Sequence, residues 1–548
     1  MSSFIDYLKR NKLFSILTIL AMVLSYGFYA TQYGAFNVDS LVMDYYNGTL
    51  LIGAGRWAAT TIHLLTNWMN FSPFWHTAVM CILLYIAALI WVCLFDRVAN
   101  HKIKPWALLI FAIAFVSCPI HSYQLTYPVL HIALAYGLTP LSLWFILNTE
   151  GKSFRESIPN YLLTLLCLVP AVDMYESFAA VFLVGLFGII IIKYIIDGSF
   201  TKFSEIFKFA LKCVIILAIA IGMDFIISKL LCRIFCGTFE FWYGGNTNIY
   251  WFTDKLGVLD QVLTLFVGLF SKLFIVASGS PFWLFFDACI AICIILAIYY
   301  CIKKKNFIPV LIFAGVVIAT FSLDLVVGAF AAGTQMQAYL VFTSFVLLLV
   351  TTLLPNKKYL QIPVYVIIGI LLFNQTKDIN NYSVEWYEAY EYETDILKDM
   401  AKDLLVYDTD SKPIAFYDDE FEFPETLTRD SHPIVEANSK FWCSVWDKLL
   451  PEKLWRSICS YYDLDENSSC IQLVENGLNY YSLIICSSNA YEGRSVNSIH
   501  LAMERFGYSY SLVTEDVYEK YADFEYEETL GKHYTIVEKS DAILVYFY

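Results

Sequence analysis

Eleven apolar runs follow one another through the first 374 residues, and they limit what this chain can become more than any motif does. Leu13–Thr31 is the first, and the others lie near 75–95, 105–117, 128–147, 159–171, 177–196, 208–231, 281–302, 307–327, 334–354 and 359–374. A helix needs about 20 apolar residues to cross the hydrocarbon core of a bilayer. Only helices and closed barrels satisfy their own backbone polar groups there. The pattern therefore predicts a membrane α-helical protein, a polytopic bundle of about eleven transmembrane helices. Two runs, 105–117 and 159–171, are shorter than a full crossing. No small-residue cleavage site closes Leu13–Thr31, so it reads as a span and not as a signal peptide.

Charge divides the chain in two. Between Thr376 and Tyr548 there are 34 acidic residues against 14 basic, whereas the preceding 375 positions carry 22 basic and 16 acidic. The expected division is a transmembrane domain, 1–375, and an acidic domain, 376–548. So acidic a tail excludes nucleic acid as a partner, because phosphates would be repelled.

The basic residues also orient the bundle. Lys9, Arg10 and Lys12 precede the first run. If the runs alternate, Arg97/Lys102/Lys104, Lys152/Arg155, Lys193/Lys202/Lys208, Lys303–Lys305 and Lys357/Lys358 fall on that same side, which positive charge marks as cytoplasmic. Val258–Ser278 breaks the alternation if it crosses, so it reads as a re-entrant or interfacial helix. The outer loops are then Gln32–Phe74, Cys118–Tyr127, Ala171–Glu176 and Arg233–Asp260, and the tail is extracytoplasmic.

Within the tail, a charged helical stretch, Ser383–Leu405, precedes short apolar strands at Pro413–Tyr417, Ser482–Cys486 and Ala542–Phe547. Helical patterns at Ser495–Arg505 and Glu515–Tyr521 alternate with them, which predicts a small α/β domain. Its four cysteines, Cys443, Cys459, Cys470 and Cys486, match no zinc spacing, and sequence does not fix a disulfide pairing. Neither half contains a repeat, a Walker loop, a dinucleotide fingerprint or a nucleophile elbow.

The polar residues of the outer loops are the candidate site. Phe36–Trp57 carries Asp39 and Asp44, then Arg56 and Trp57 after a Gly-rich turn. Ionisable groups at a bilayer are costly and tend to mark function, and a carboxylate beside an arginine suits acid–base work on a charged lipid-borne substrate. Asp39 equally suits a helix N-cap, and Asp44 suits the wet face of an amphipathic helix. Arg56 offers a planar, permanently charged fork for phosphate, or a snorkelling contact with headgroups. Asp173 and Glu176 flank Tyr175 at the outer end of a span, either capping the turn or facing a cavity. His63, His76, His121 and His131 read as isolated, satisfied polar residues. Asp324, inside an apolar run, calls for an interior partner.

Asn37-Val38-Asp39, Gly55-Arg56-Trp57 and Asp173-Met174-Tyr175-Glu176-Ser177 together resemble the Gtr-type serotype-converting glucosyltransferases, of the GT-C class. This chain has Glu176 where that resemblance leads one to expect Gln, and Gly333-Thr334-Gln335-Met336 where it leads one to expect an arginine. The loop from Pro119 through Tyr127 is similar to family material, and Phe506-Gly507-Tyr508 with Thr514-Glu515-Asp516 resembles the extracytoplasmic end of Gram-positive relatives.

The resemblance implies a GT-C-like enzyme of the bacterial cell membrane. It would take a hexose from a polyprenyl-phosphate donor to an extracytoplasmic glycan such as a cell-wall polymer or O-antigen. A flippase and a donor-synthesising enzyme would be its partners. Asp39, Asp44, Asp173 and Glu176 are the catalytic candidates, with Asp39 as general base or as ligand of a divalent cation, Mg or Mn. Arg56, Arg233 and Lys255 would meet the donor phosphate, and Trp57, Tyr127 and Tyr175 the sugar or lipid. Two rival classes remain open. A transporter or flippase of lipid-linked glycan would call for inverted repeats, and a glycan polymerase or ligase for paired outer arginines.

If Asp39 is the base, Asp39→Asn lowers transfer by roughly 10²–10⁴-fold at unchanged protein level, while Asp44→Asn keeps activity. Incorporation of sugar into surface glycan, with protein followed by blot, measures both. Normal incorporation by Asp39→Asn removes that residue from the chemistry.

Overall fold

The computed structural model describes residues 7–9, 11–31, 50–66, 73–124, 130–241, 282–327, 336–409, 411–418 and 498–548. Each of the eleven apolar runs contains helix. The helices are α1 (Lys12–Thr31), α2 (Leu50–Gly53), α3 (Trp57–Thr66), α4 (Pro73–Val98), α5 (Pro105–Val116), α6 (Leu130–Leu147), α7 (Phe154–Met174), α8 (Phe178–Ile191), α9 (Phe203–Cys236), α10 (Phe282–Lys304), α11 (Ile308–Thr320), α12 (Ser322–Val327), α13 (Gln337–Leu353) and α14 (Lys358–Leu404). Eight helices are long and apolar enough to cross a membrane, which makes this a membrane helical protein. Three shorter apolar helices, Pro105–His121, Ile308–Thr320 and Gln337–Leu353, accompany them.

The run at 159–171 proves longer than its apolar residues suggest. Ser153 and Glu156 form a reciprocal capping box, with Ser153 N donating to Glu156 Oε2 at 2.9 Å, and α7 starts there with two polar turns. The S-x-x-E signal was present in the sequence. The run at 307–327 instead divides at Phe321 into α11 and α12. Segment 258–278 lies outside the described residues.

Inside a bilayer, helices gain little from apolar burial and associate through close packing. Small residues therefore sit where backbones approach. A Cβ on Gly137 of α6 would lie 3.9 Å from Ala87 Cα of α4, and one on Gly185 of α8 would meet Leu143 and Trp91 at 2.6 Å. Trp91, Phe95, Phe111, Phe115, Tyr136 and Phe182 fill the middle of the bundle and are fully buried.

One end of the bundle gathers the basic turns. Lys102 donates to the carboxylate of Asp197 at 2.8 Å, Lys193 to Glu150 at 2.5 Å, Lys304 to Tyr194 O at 2.7 Å, and Lys104 to Leu354 O at 3.1 Å. Five alternate connections, after α4, α6, α8, α10 and α13, are thus held together on one side, as the positive-charge pattern requires.

The last span does not stop where the apolar run ends. α14 continues unbroken across residue 376 into the stretch read from sequence as a separate helix, 47 residues in all, about 70 Å long. It starts beside Lys104, passes Leu24 of α1, whose carbonyl accepts from Asn380 Nδ2 at 2.9 Å, and carries on beyond. Its outer part packs on a three-stranded sheet of β1 (Ile414–Asp418), β2 (Tyr534–Glu538) and β3 (Ile543–Phe547), in the order β1-β3-β2. β1 runs parallel to β3 and β2 antiparallel. Alternation sorts the strands: Ile414, Phe416, Val545 and Phe547 face Leu397 and Met400 of α14, while Tyr417, Leu544 and Tyr546 face the other way. Two short helices, α15 (Ser498–Arg505) and α16 (Glu515–Lys520), complete the described tail. β2 was not expected from sequence, and the strand expected at 482–486 lies outside the described residues.

A helix that leaves the basic end and delivers the sheet beyond the opposite end predicts an extracytoplasmic tail. With the four native tail cysteines replaced by serine, Leu530→Cys, at a fully exposed position, should react with a membrane-impermeant maleimide in intact cells. Labelling only after permeabilisation would reverse the orientation.

Candidate functional site

At the end opposite the basic turns, four helices converge on Gly55-Arg56, the turn between α2 and α3. Gly55 has φ +81°, and a Cβ there would lie 2.9 Å from the Phe241 ring. Both facts require glycine. Arg56 N donates to Leu51 O at 2.8 Å and closes the turn, and Arg56 O accepts from Thr60 N at 3.0 Å, which starts α3.

The first N–H groups of a helix have no partner within it. Those of α3 are met by the carboxylate of Asp173, from the last turn of α7. Trp57 N donates to Oδ1 at 3.1 Å and Ala58 N to Oδ2 at 2.5 Å.

Helix α9 brings a second carboxylate. Trp57 Nε1 donates to Asp224 Oδ1 at 3.2 Å. Ser228, one turn further along, has its hydroxyl 2.9 Å from Gly55 O, 3.3 Å from Asp173 Oδ1 and 3.4 Å from Asp224 Oδ1. Two acidic side chains from two helices therefore share one hydroxyl, and all three residues of Gly55-Arg56-Trp57 are fixed from behind.

The guanidinium of Arg56 points to the joint between α7 and α8. Its Nη2 donates to Glu176 Oε2 at 3.3 Å, and its centre lies 4.5 Å over the Tyr175 ring. Burial works against the Arg56 charge, yet Glu176, Tyr175 and Asp173 together raise it above the ordinary arginine value. Ser177 hydrogen-bonds to Gln337 at the start of α13. Close by in the chain, Tyr339 donates to Asp324 Oδ2 at 3.2 Å, which gives Asp324 its interior partner.

Five residues singled out from sequence, Arg56, Trp57, Asp173, Tyr175 and Glu176, thus come together. Arg233 stands nine residues past Asp224 on α9, about 13 Å along the axis. Its guanidinium donates to Gly237 O and lies over Phe239, closing the end of α9. Lys229, not singled out, donates to Phe239 O at 2.6 Å and lies 4.0 Å from the Phe241 ring centre. Asp39, Asp44, Tyr127 and Lys255 lie outside the described residues.

Asp224 and Ser228 were missed. An acidic residue within the run 208–231 was the available signal, with Ser228 one turn on. The histidines read as isolated are not all so. The His63 and His131 rings lie 5.3 Å apart, and His76 also acts on His63. Burial first, and His76 second, lower His63 to about 4, so it is neutral at physiological pH. Among the described residues no group of three or more His, Cys, Asp or Glu could hold a metal ion, and Asp39, the ligand proposed from sequence, is not among them.

Residues 28–374 match the family model described as Glucosyl transferase GtrII. No curated protein matches the chain.

Asp173→Ala strands two backbone N–H groups and should lower stability by about 1–3 kcal/mol. Asp173→Asn keeps a carbonyl acceptor and should lose less. Thermal unfolding of the purified protein in detergent compares them, and an unchanged midpoint for Asp173→Ala would refute the anchoring role.

Proposed function

The chain belongs to the GtrII glucosyl transferase family, and from that premise we propose that it transfers a glucose-like hexose from a polyprenyl-phosphate donor to an extracytoplasmic cell-surface glycan, with inversion. Three further assignments go with this reading. The eleven apolar helices all cross the bacterial cell membrane, the site end faces outward, and 376–548 is an extracytoplasmic α/β domain.

The observation that carries it is Arg56, a cation held at the end away from the basic turns, with its backbone immobilised and an aromatic face beneath it. An acceptor hydroxyl attacks the anomeric carbon, the bond from that carbon to the phosphate oxygen breaks, and the lipid phosphate departs. Negative charge grows on the phosphate in that step, where a fixed guanidinium is most effective. Asp173, Asp224 and Ser228 hold the turn in place. Trp57 and Tyr175 offer ring faces to the sugar.

Asp39, in the connection between α1 and α2, takes the proton of the acceptor hydroxyl. If a divalent cation serves here, Asp39 is its ligand, and the cation would help the phosphate leave. The acidic tail receives or orients the acceptor polymer.

Purified protein supplied with prenyl-phosphate glucose and, separately, with a nucleotide sugar tests the donor class. Transfer is expected from the first alone. Transfer from the nucleotide sugar alone would overturn the proposal.

A further inference from the structure

We propose that Glu176 competes with the donor's phosphate for Arg56, and that this carboxylate sets the affinity of the site for phosphate-bearing lipid. The inference rests on the reading of Arg56 as the phosphate contact.

The two members of the ion pair are held very differently. The Arg56 side chain is 16% exposed, and that of Glu176 is 47% exposed. Arg56 has its main chain bonded on both sides and Tyr175 under its guanidinium. Glu176 makes one contact with it, at 3.3 Å. Strong charge-assisted hydrogen bonds fall at about 2.7–2.9 Å, and the strongest arginine pairs use two parallel N–H groups. Among the described residues Nη2 alone is engaged. Nε is buried and has no hydrogen-bond partner among the described residues.

The pair rests on one hydrogen bond at 3.3 Å, long for its kind, and its carboxylate is half in water. A phosphate carries more charge than a carboxylate and can engage both terminal Nη groups together, in the planar geometry the fork is built for. Exchange of Glu176 for phosphate therefore trades a single long contact for a paired one. The exchange requires little of the backbone. Asp173, three residues earlier, is bonded to α3, and Ser177, the next residue, is bonded to Gln337. Only the Glu176 side chain has to swing, and it is already half in water.

A carboxylate in this position serves two purposes. It holds Arg56 in its working orientation, and it keeps weakly binding anions off the guanidinium. A glutamine at 176 would hydrogen-bond to Arg56 without competing as a charge. Glu176 accordingly sets how tightly any anion must bind before it occupies the guanidinium.

The test is a double-mutant cycle on purified full-length protein, with a short-chain prenyl phosphate as the binding probe and KM for prenyl-phosphate glucose as the kinetic readout. Glu176→Gln, close in shape, and Glu176→Ser, smaller, should each bind the probe about two- to five-fold more tightly. KM should fall in parallel. In an Arg56→Gln background the same Glu176 substitutions should change nothing. Unchanged or weaker binding in both Glu176 variants, with Arg56 present, overturns the proposal. Equal tightening with and without Arg56 also overturns it, because a general field effect would then suffice. If Arg56→Gln binds the probe as the wild type does, the donor-phosphate reading itself fails, whatever Glu176 does.

Discussion

The bond from Asp173 to the first backbone N–H groups of α3 is the interaction on which the site depends. α3 has only ten residues, too few to be stable by itself, and its N-terminus is buried among other helices. Its leading N–H groups would be expensive to leave unmatched there. Asp173 meets two of them from a different helix, so α3 exists where α7 places it. Arg56 is the residue immediately before α3, which gives its side chain a fixed origin. Glycine at 55 is the complementary requirement, since the chain must turn sharply there against Phe241.

Helix length explains why these groups meet at one level. Asp173 lies 19 residues beyond the start of α7, and Asp224 lies 21 beyond the start of α9. At about 1.5 Å per residue both stand roughly 30 Å from the basic end, close to the thickness of the hydrocarbon core. A buried carboxylate, Asp173, and a half-buried one, Asp224, on parallel helices thus reach the far boundary together, where a turn of α2–α3 is available to receive them. α9 continues for twelve residues past Asp224. That extension carries Lys229 and Arg233 beyond this level, with Phe241 folded back over Gly55.

Much of this was legible from residue types. Apolar runs gave the helices, basic turns gave their common side, and Gly55-Arg56-Trp57 with the 173–177 segment named the residues that meet around the Arg56 turn. What escaped depended on tertiary context. Asp224 sits in so apolar a stretch that it looked like part of a span, although the rule that singled out Asp324 applied to it equally. The start of α7 escaped because polar turns, capped by Ser153 and Glu156, extend a helix without adding hydropathy. The continuity of α14 escaped because composition changes at residue 376 while helical geometry does not. Propensity and polarity are separate signals, and only polarity changes there. β2 depends on pairing with β3, a partner that a five-residue stretch does not disclose.

The five residues 173–177 show why spacing matters more here than any one side chain. Asp173 ends α7 facing α3. Tyr175 is extended, at φ −164° and ψ 127°, and so breaks the chain between the end of α7 and the start of α8. Glu176 then reaches Arg56 while Ser177 reaches Gln337. One joint therefore ties α3, α13 and the guanidinium to a single register. Adding or deleting a residue would rotate Asp173 or Ser177 off its partner, whereas exchanging Glu176 leaves the register intact. The segment thus combines fixed outer positions with one replaceable position, and that position is the one that touches Arg56.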